Sequence, residues 1–204
     1  MLSFFLLLVS CTPHPNAEIG DGGLLSDASC GPPCFWNITP GLTTRSQAWG
    51  ILTQRGMSQA CQEQNGSSES GSRTIHCEPG SKTRDLGTLD MPLDAHGNKI
   101  LSIIFNPSRP ILLQDLIKKY GGPSHLAVYQ ISTPQHPAYW VILYYDAILT
   151  SVYLYPQAGS TYQLRPDAAA YLVTYSATQS YRTYLDTINT NLQEWKGYGA
   201  YTNK

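Results

Sequence analysis

Fourteen tyrosines stand in this chain of 204 residues, and every one lies at or after Tyr120. Tyrosine suits a half-buried strand, where ring area leaves water while the hydroxyl stays wet. The skew therefore predicts a sheet-rich C-terminal half. Extended segments at about 125–132, 138–146 and 149–156 follow one another there at close spacing. Connections as short as Thr133–Pro137 and a tight turn near Asp146 require antiparallel neighbours, which makes a meander. Residues 171–175 add a further strand. A last helix over about 181–195, with Tyr184, Leu185, Ile188, Leu192 and Trp195 on one face, is expected to pack on that sheet.

The N-terminal half carries the same ingredients. Thr44 followed by Gln47 has capping-box form and predicts a helix over about 45–55, with Ala48, Trp49, Ile51 and Leu52 toward one side. It ends near Gly56. Residues 62–72 are polar and rich in Gly and Ser, which reads as an exposed loop. Extended pieces follow at 73–78, 85–93 and 99–106, the last two joined through a hairpin loop at Asp94–Asn98. Pro107 and Pro110 break the chain. Leu113, Leu116, Ile117 and Tyr120 then form the single stripe of a second helix, which Gly121-Gly122-Pro123 stops. A helix with extended pieces thus occurs twice, at 44–106 and 111–156, suggesting degenerate sub-repeats at 34–108 and 109–204. The predicted class is α+β, with short helices packed on one side of an antiparallel meander sheet.

Charged residues are only 13% and the net charge is −1. There is no basic stripe for nucleic acid and no acidic tail. Residues 2–9 are almost wholly apolar and too short to span a bilayer as a lasting helix, so they read as the core of an export signal. No Lys or Arg precedes them.

The end of that run, Leu8-Val9-Ser10-Cys11, resembles the lipobox of bacterial lipoproteins. The resemblance implies that residues 1–10 are a signal peptide and that the Cys11 sulfur carries a diacylglycerol, with palmitate-type chains. The protein would then be a membrane lipoprotein on the extracytoplasmic face. The plainer readings are an ordinary signal or a buried strand, with Cys11 a simple thiol. Residues 11–33, rich in Gly, Pro, Asp and Ser, fit a flexible tether with only Leu24-Leu25 as an apolar anchor point. About twenty such residues have an r.m.s. reach of roughly 25 Å. The folded domain is then 34–204.

Five cysteines is an odd number, and lipidation of Cys11 leaves the even set Cys30, Cys34, Cys61 and Cys77. Outside the cytoplasm these form two disulfides. Cys61–Cys77 is the favoured pair, closing a loop of about fifteen residues for roughly 3 kcal/mol. Cys30 and Cys34 then pair across Gly31-Pro32-Pro33, or either reaches the core instead. His76 beside Cys77 lacks the spacing of a zinc site, so no metal is expected.

Further resemblances lie downstream. Ile38-Thr39-Pro40-Gly41-Leu42-Thr43 before a short helix resembles the opening of small outer-membrane-assembly lipoproteins of the SmpA/OmlA type. Residues 116–123, ending Tyr120-Gly121-Gly122-Pro123, resemble their helix end. With Pro32-Pro33-Cys34-Phe35, these motifs are similar to a group of uncharacterised bacterial lipoproteins, which implies no activity.

No nucleophile-elbow, zinc-protease, phosphate-loop or dinucleotide motif occurs. The histidines at 14, 76, 96, 125 and 136 are scattered. His125 at a strand start reads as an edge residue, and Asp85, Asp90 and Asp94 as exposed turns. Asn37-Ile-Thr and Asn65-Gly-Ser match the glycosylation sequon, which matters only in a eukaryotic secretory pathway. The remaining candidates are aromatic: Tyr139, Trp140, Tyr144 and Tyr153, with Tyr145 and Tyr155, as a ligand face for sugar or peptide. On alternating strands half of these rings must face the core. The expectation is a lipid-anchored extracytoplasmic binding or scaffolding protein. It has no catalytic residues or cofactor, and it meets the membrane through its lipid and a protein partner at the envelope. The rivals are an enzyme whose site gathers His125, His136 and the 85–94 aspartates, or an inhibitor-like module using the tyrosine-rich sheet face.

Overall fold

The computed structural model describes residues 20–26, 30–65, 73–78, 86–131 and 138–203. The segment containing Leu8–Cys11 lies outside these residues, as do His14, Asp85 and His136.

Gly20–Ser26, within the stretch read as tether, is fastened to the domain. The Asp21 carboxylate accepts from the backbone N–H groups of Gly23, Leu25 and Ser26, which closes a tight turn. That turn drives Leu24 fully into the core. Buried Tyr175 donates its hydroxyl to the Gly22 carbonyl at 2.9 Å, and the Gly20 carbonyl accepts from the Ser108 and Arg109 N–H groups. Cys30 and Cys34 are disulfide-bonded, with Cα atoms 5.5 Å apart. Phe35 and Ile38 then pair across a two-residue turn in which Trp36 and Asn37 both take positive φ. Phe35 stacks on Phe105 at 5.6 Å, and Phe105 meets Tyr175 edge-on at 5.4 Å.

Helix α1 (Arg45–Gln54) begins at the expected capping box, Thr44 and Gln47 satisfying each other's backbone N–H. It ends in a Schellman motif: Gly56 N–H reaches the Thr53 carbonyl and Met57 N–H the Leu52 carbonyl, with Gly56 at φ +72°. Ala48 and Leu52 are buried, and Trp49 and Ile51 pack against the same core. Strands β1 (Cys61–Asn65), β2 (Arg73–Cys77), β3 (Leu86–Pro92) and β4 (Ser102–Pro107) follow as an antiparallel meander. The first of these corrects the sequence reading, which placed residues 62–72 in a loop. Cys61-Gln-Glu-Gln-Asn has no apolar alternation, yet it forms an edge strand because Cys61 stands opposite Cys77 and is disulfide-bonded to it. Glu63 adds a second tie, accepting from Arg45 and Trp49 of α1.

Strand β5 (Ile111–Leu112) leads into α2 (Leu113–Tyr120), whose Leu113 and Leu116 are buried as the stripe predicts. Asp115 in its first turn and Lys118 and Lys119 in its last complement the helix dipole. Gly121 stops it at φ +79° and ψ −170°, a region open essentially to glycine alone. Strands β6 (His125–Gln130), β7 (Ala138–Tyr145) and β8 (Thr150–Leu154) form the expected second meander, with a 3₁₀ turn at Asp146–Ile148. Short β9 (Gln157–Ala158) borders β7, and β10 (Tyr162–Leu164) starts a separate ribbon. Strand β11 (Ala169–Ser176) then inserts between β8 and β4. This joins the halves into one sheet of order β1-β2-β3-β4-β11-β8-β7-β6.

Helix α3 (Thr178–Thr187) is shorter than the predicted 181–195. Asn189-Thr190-Asn191, poor helix formers, turn the chain in a 3₁₀ step. Leu192 and Gln193 become β12, paired with Ala127 and Leu126 on the free edge of β6. Trp195 continues past them to stack on Tyr201 of β13 (Gly199–Tyr201), the partner of β10. Gly122 makes room: a Cβ there would lie 2.5 Å from the Trp195 ring.

The main core lies on one face of the sheet, where Leu126, Val128, Leu143, Val152, Val173 and Ile103 meet α1, α2 and the Leu24 turn. The last helix does not join them, a correction to the one-sided layering expected. Tyr181 of α3 packs with Ala127, Ile142 and Tyr144, which alternation directs to the opposite face. The class is α+β, with an almost wholly antiparallel sheet covered from both sides.

Candidate functional site

Strand β11 does not alternate cleanly. Ala170 pairs with Leu154 and Leu172 with Tyr153, so Tyr171 is the extra residue of a β-bulge. Ala170, Val173 and Tyr175 all belong to the main core. The extra residue lets Tyr171 turn to the opposite face, which strict alternation from Val173 and Tyr175 forbids. There it meets Trp140 of β7 at 6.2 Å and Tyr153 of β8 at 6.3 Å, both nearly edge-on. Tyr155, just past the end of β8, is 5.5 Å away. Asn106 of β4 holds the bulge, its amide donating to the Tyr171 carbonyl at 2.7 Å while its carbonyl accepts from Thr88. Tyr155 is 58% exposed and the other three rings are half-buried. The result is a half-open aromatic platform.

The platform continues into a seam of hydroxyls beneath α3. Tyr129 and Tyr144 come from the sheet and Tyr184 from the helix, Tyr184 lying over Tyr144 at 6.3 Å. Burial holds the Tyr144 and Tyr153 hydroxyls well above the ordinary tyrosine range, and the neighbouring Tyr184 pushes the same way. Tyr129 is raised for the same reasons. The Tyr129, Tyr144 and Tyr153 hydroxyls therefore stay protonated at physiological pH. The Tyr129 and Tyr144 hydroxyls are buried against each other, Tyr184 and Asn191, off ideal hydrogen-bond geometry, while the buried Trp140 Nε1–H has no partner among the described residues.

Of the sequence candidates, Trp140, Tyr153 and Tyr155 share the platform. Tyr144 is on the same face but fully buried beneath α3, while Tyr139 and Tyr145 belong to the main-core side. Tyr171 and Tyr184 were missed. Only the bulge turns the first toward the others, and only the helix position brings in the second.

The charged candidates do not converge. His125 of β6 lies 3.4 Å from Asp146, which also accepts from the Tyr181 hydroxyl. Asp90 is on β3, on the far side of β4, β11, β8 and β7, and Asp94 caps the β3–β4 turn through the Asn98 N–H. Asp90 instead pairs with His76 directly across from it on β2, Nδ1 to Oδ1 being 2.6 Å. The Asp90 hydrogen bond raises the His76 pKa, and Glu78, 3.6 Å from Nε2, adds to it. Among the described residues no cluster of His, Cys, Asp and Glu is able to hold a metal. Cys61 and Cys77 are spent on each other. On the outer side of α1, exposed Leu42 borders a shallow uncharged groove of about 550 Å³ with Thr39, Gln47 and Ile51.

No family model, curated protein or solved structure matches this chain.

Proposed function

We propose that the protein is a lipid-anchored, extracytoplasmic binding protein. Cys11 holds it to the membrane, and the face of Trp140, Tyr153, Tyr155 and Tyr171 holds its ligand. The carrying observation is the bulge in β11. It spends a ladder pairing and an Asn106 side chain to set a fourth ring on a part of the sheet left half-open. Bulges beside sites commonly re-aim a side chain in this way. The disulfides at Cys30–Cys34 and Cys61–Cys77 fit an oxidising compartment. The strand order supports reading the domain as two degenerate copies of a helix followed by four strands, joined β4 to β11.

Oxidative footprinting tests the binding face. Tyr155 and Tyr171 are compared in intact cell envelopes and in the purified protein, with exposed Tyr198 as the internal reference. Protection of the pair in the envelope, with Tyr198 unchanged, is expected. Equal labelling in both settings removes the face as a binding site.

A further inference from the structure

We propose that the platform of Trp140, Tyr153, Tyr155 and Tyr171, with the adjoining hydroxyls of Tyr129 and Tyr144, is a subsite for a neutral oligosaccharide. The inference rests on the proposed binding face and assigns its ligand class.

Three features converge on that class. The first is apolar ring surface offered on a half-open face, which suits a ligand with flat patches of C–H. The second is the absence of charge. The rings and the polar neighbours Thr88 and Asn106 are neutral, and burial makes Tyr144 and Tyr153 resist ionisation. Among the described residues no cation lies over these rings to receive a phosphate-bearing or acidic ligand. The third is the unmet hydrogen bonding. Buried polar groups are almost always paired, yet the Trp140 Nε1–H is not, and the Tyr129 and Tyr144 hydroxyls have only each other, Tyr184 and Asn191 close by, off ideal hydrogen-bond geometry.

A sugar meets this need well. Trp140 offers only a donor, whereas a tyrosine hydroxyl both donates and accepts. Sugar hydroxyls have the same double capacity and stand around the whole ring, so they match either polarity. The Asn106 amide beside the rings is committed at both ends and is not open to a peptide backbone. Tyr184, 39% exposed, covers the seam. Its swing away from Tyr144 uncovers the hydroxyls for the ligand.

The probes are cellohexaose, chitohexaose and maltohexaose, titrated into the purified full chain in detergent and read by intrinsic fluorescence, with decaproline as the peptide comparison. At least one hexaose is expected to saturate the signal. Tyr155→Ala and Tyr171→Ala should each weaken it about tenfold or more, with unchanged far-ultraviolet circular dichroism. Tyr144→Phe is the discriminating variant. That hydroxyl lies against those of Tyr129 and Tyr184, so the expected loss of sugar affinity, about tenfold, is read beside the urea midpoint of the same variant. Binding insensitive to all three substitutions overturns the inference, as does binding of decaproline alone. If no hexaose binds while Tyr155 is still protected in envelopes, the sugar assignment falls and the binding face stands. If protection is also absent, both fall.

Discussion

At the scale of single residues, the domain depends on contacts between positions far apart in the chain. Gly22 has φ +63°, and a Cβ there would come 2.1 Å from the Phe105 ring. Gly22→Ala therefore combines a left-handed alanine with displacement of a core aromatic. Urea unfolding should show a loss of ~1–3 kcal/mol, with faster hydrogen exchange over residues 20–26. Tyr175→Phe reaches the same turn from the other side. It leaves the Gly22 carbonyl unpaired in the core and should cost ~1–3 kcal/mol in the same assay. His76 supplies a pH dependence. Its folded pKa lies above the ordinary histidine value of 6.5 because it donates to Asp90. The pairing contributes fully below that value and is lost as pH rises through the raised folded pKa. The urea midpoint should accordingly fall on the alkaline side of 6.5, and His76→Gln should flatten that part of the profile.

At the scale of elements, local chemistry was legible where the chain states its own boundaries. Thr44 with Gln47 and the glycine at 56 delimit α1, and the stripe from Leu113 to Tyr120 delimits α2. Strands β6, β7 and β8 form where their apolar runs and short connections place them. Elements formed by a partner's demand were not legible. Strand β1 is polar and exists through Cys77 and Glu63, while β12 exists because β6 has a free edge. Replacing Cys61 and Cys77 together by alanine should cost ~3 kcal/mol of stability, with a urea slope no smaller than the parent's because the unfolded chain is less constrained. Hydrogen exchange should quicken in β1 before β3. An equal response in both strands would mean that the ladder, not the sulfur bridge, holds the edge.

At the scale of the whole molecule, the decisive event is the insertion of β11 between β8 and β4. It pairs Val173 with Phe105 and Val152, so the core is built from both halves. The proposed anchoring at Cys11 is the other whole-molecule property. Each buried methylene contributes ~0.8 kcal/mol, and two or more chains hold where one is marginal. Cys11→Ser should therefore move the protein from the membrane to the soluble fraction, with the melting temperature of the domain unchanged. Retention of the serine variant in the membrane would remove the anchor from the account.

By itself the sequence determined the periodicities, the caps, the favoured Cys61–Cys77 pairing and the wealth of rings in the C-terminal half. These depend on neighbours within a few turns or strands, and local pattern encodes them. Only the tertiary structure decided which rings face outward. A single extra residue at Tyr171 reverses the alternation of a strand, and the position of α3 buries Tyr144 while Tyr155 stays open. Side-chain direction on a sheet is set by register, and register is fixed by strands that meet only after the chain has folded.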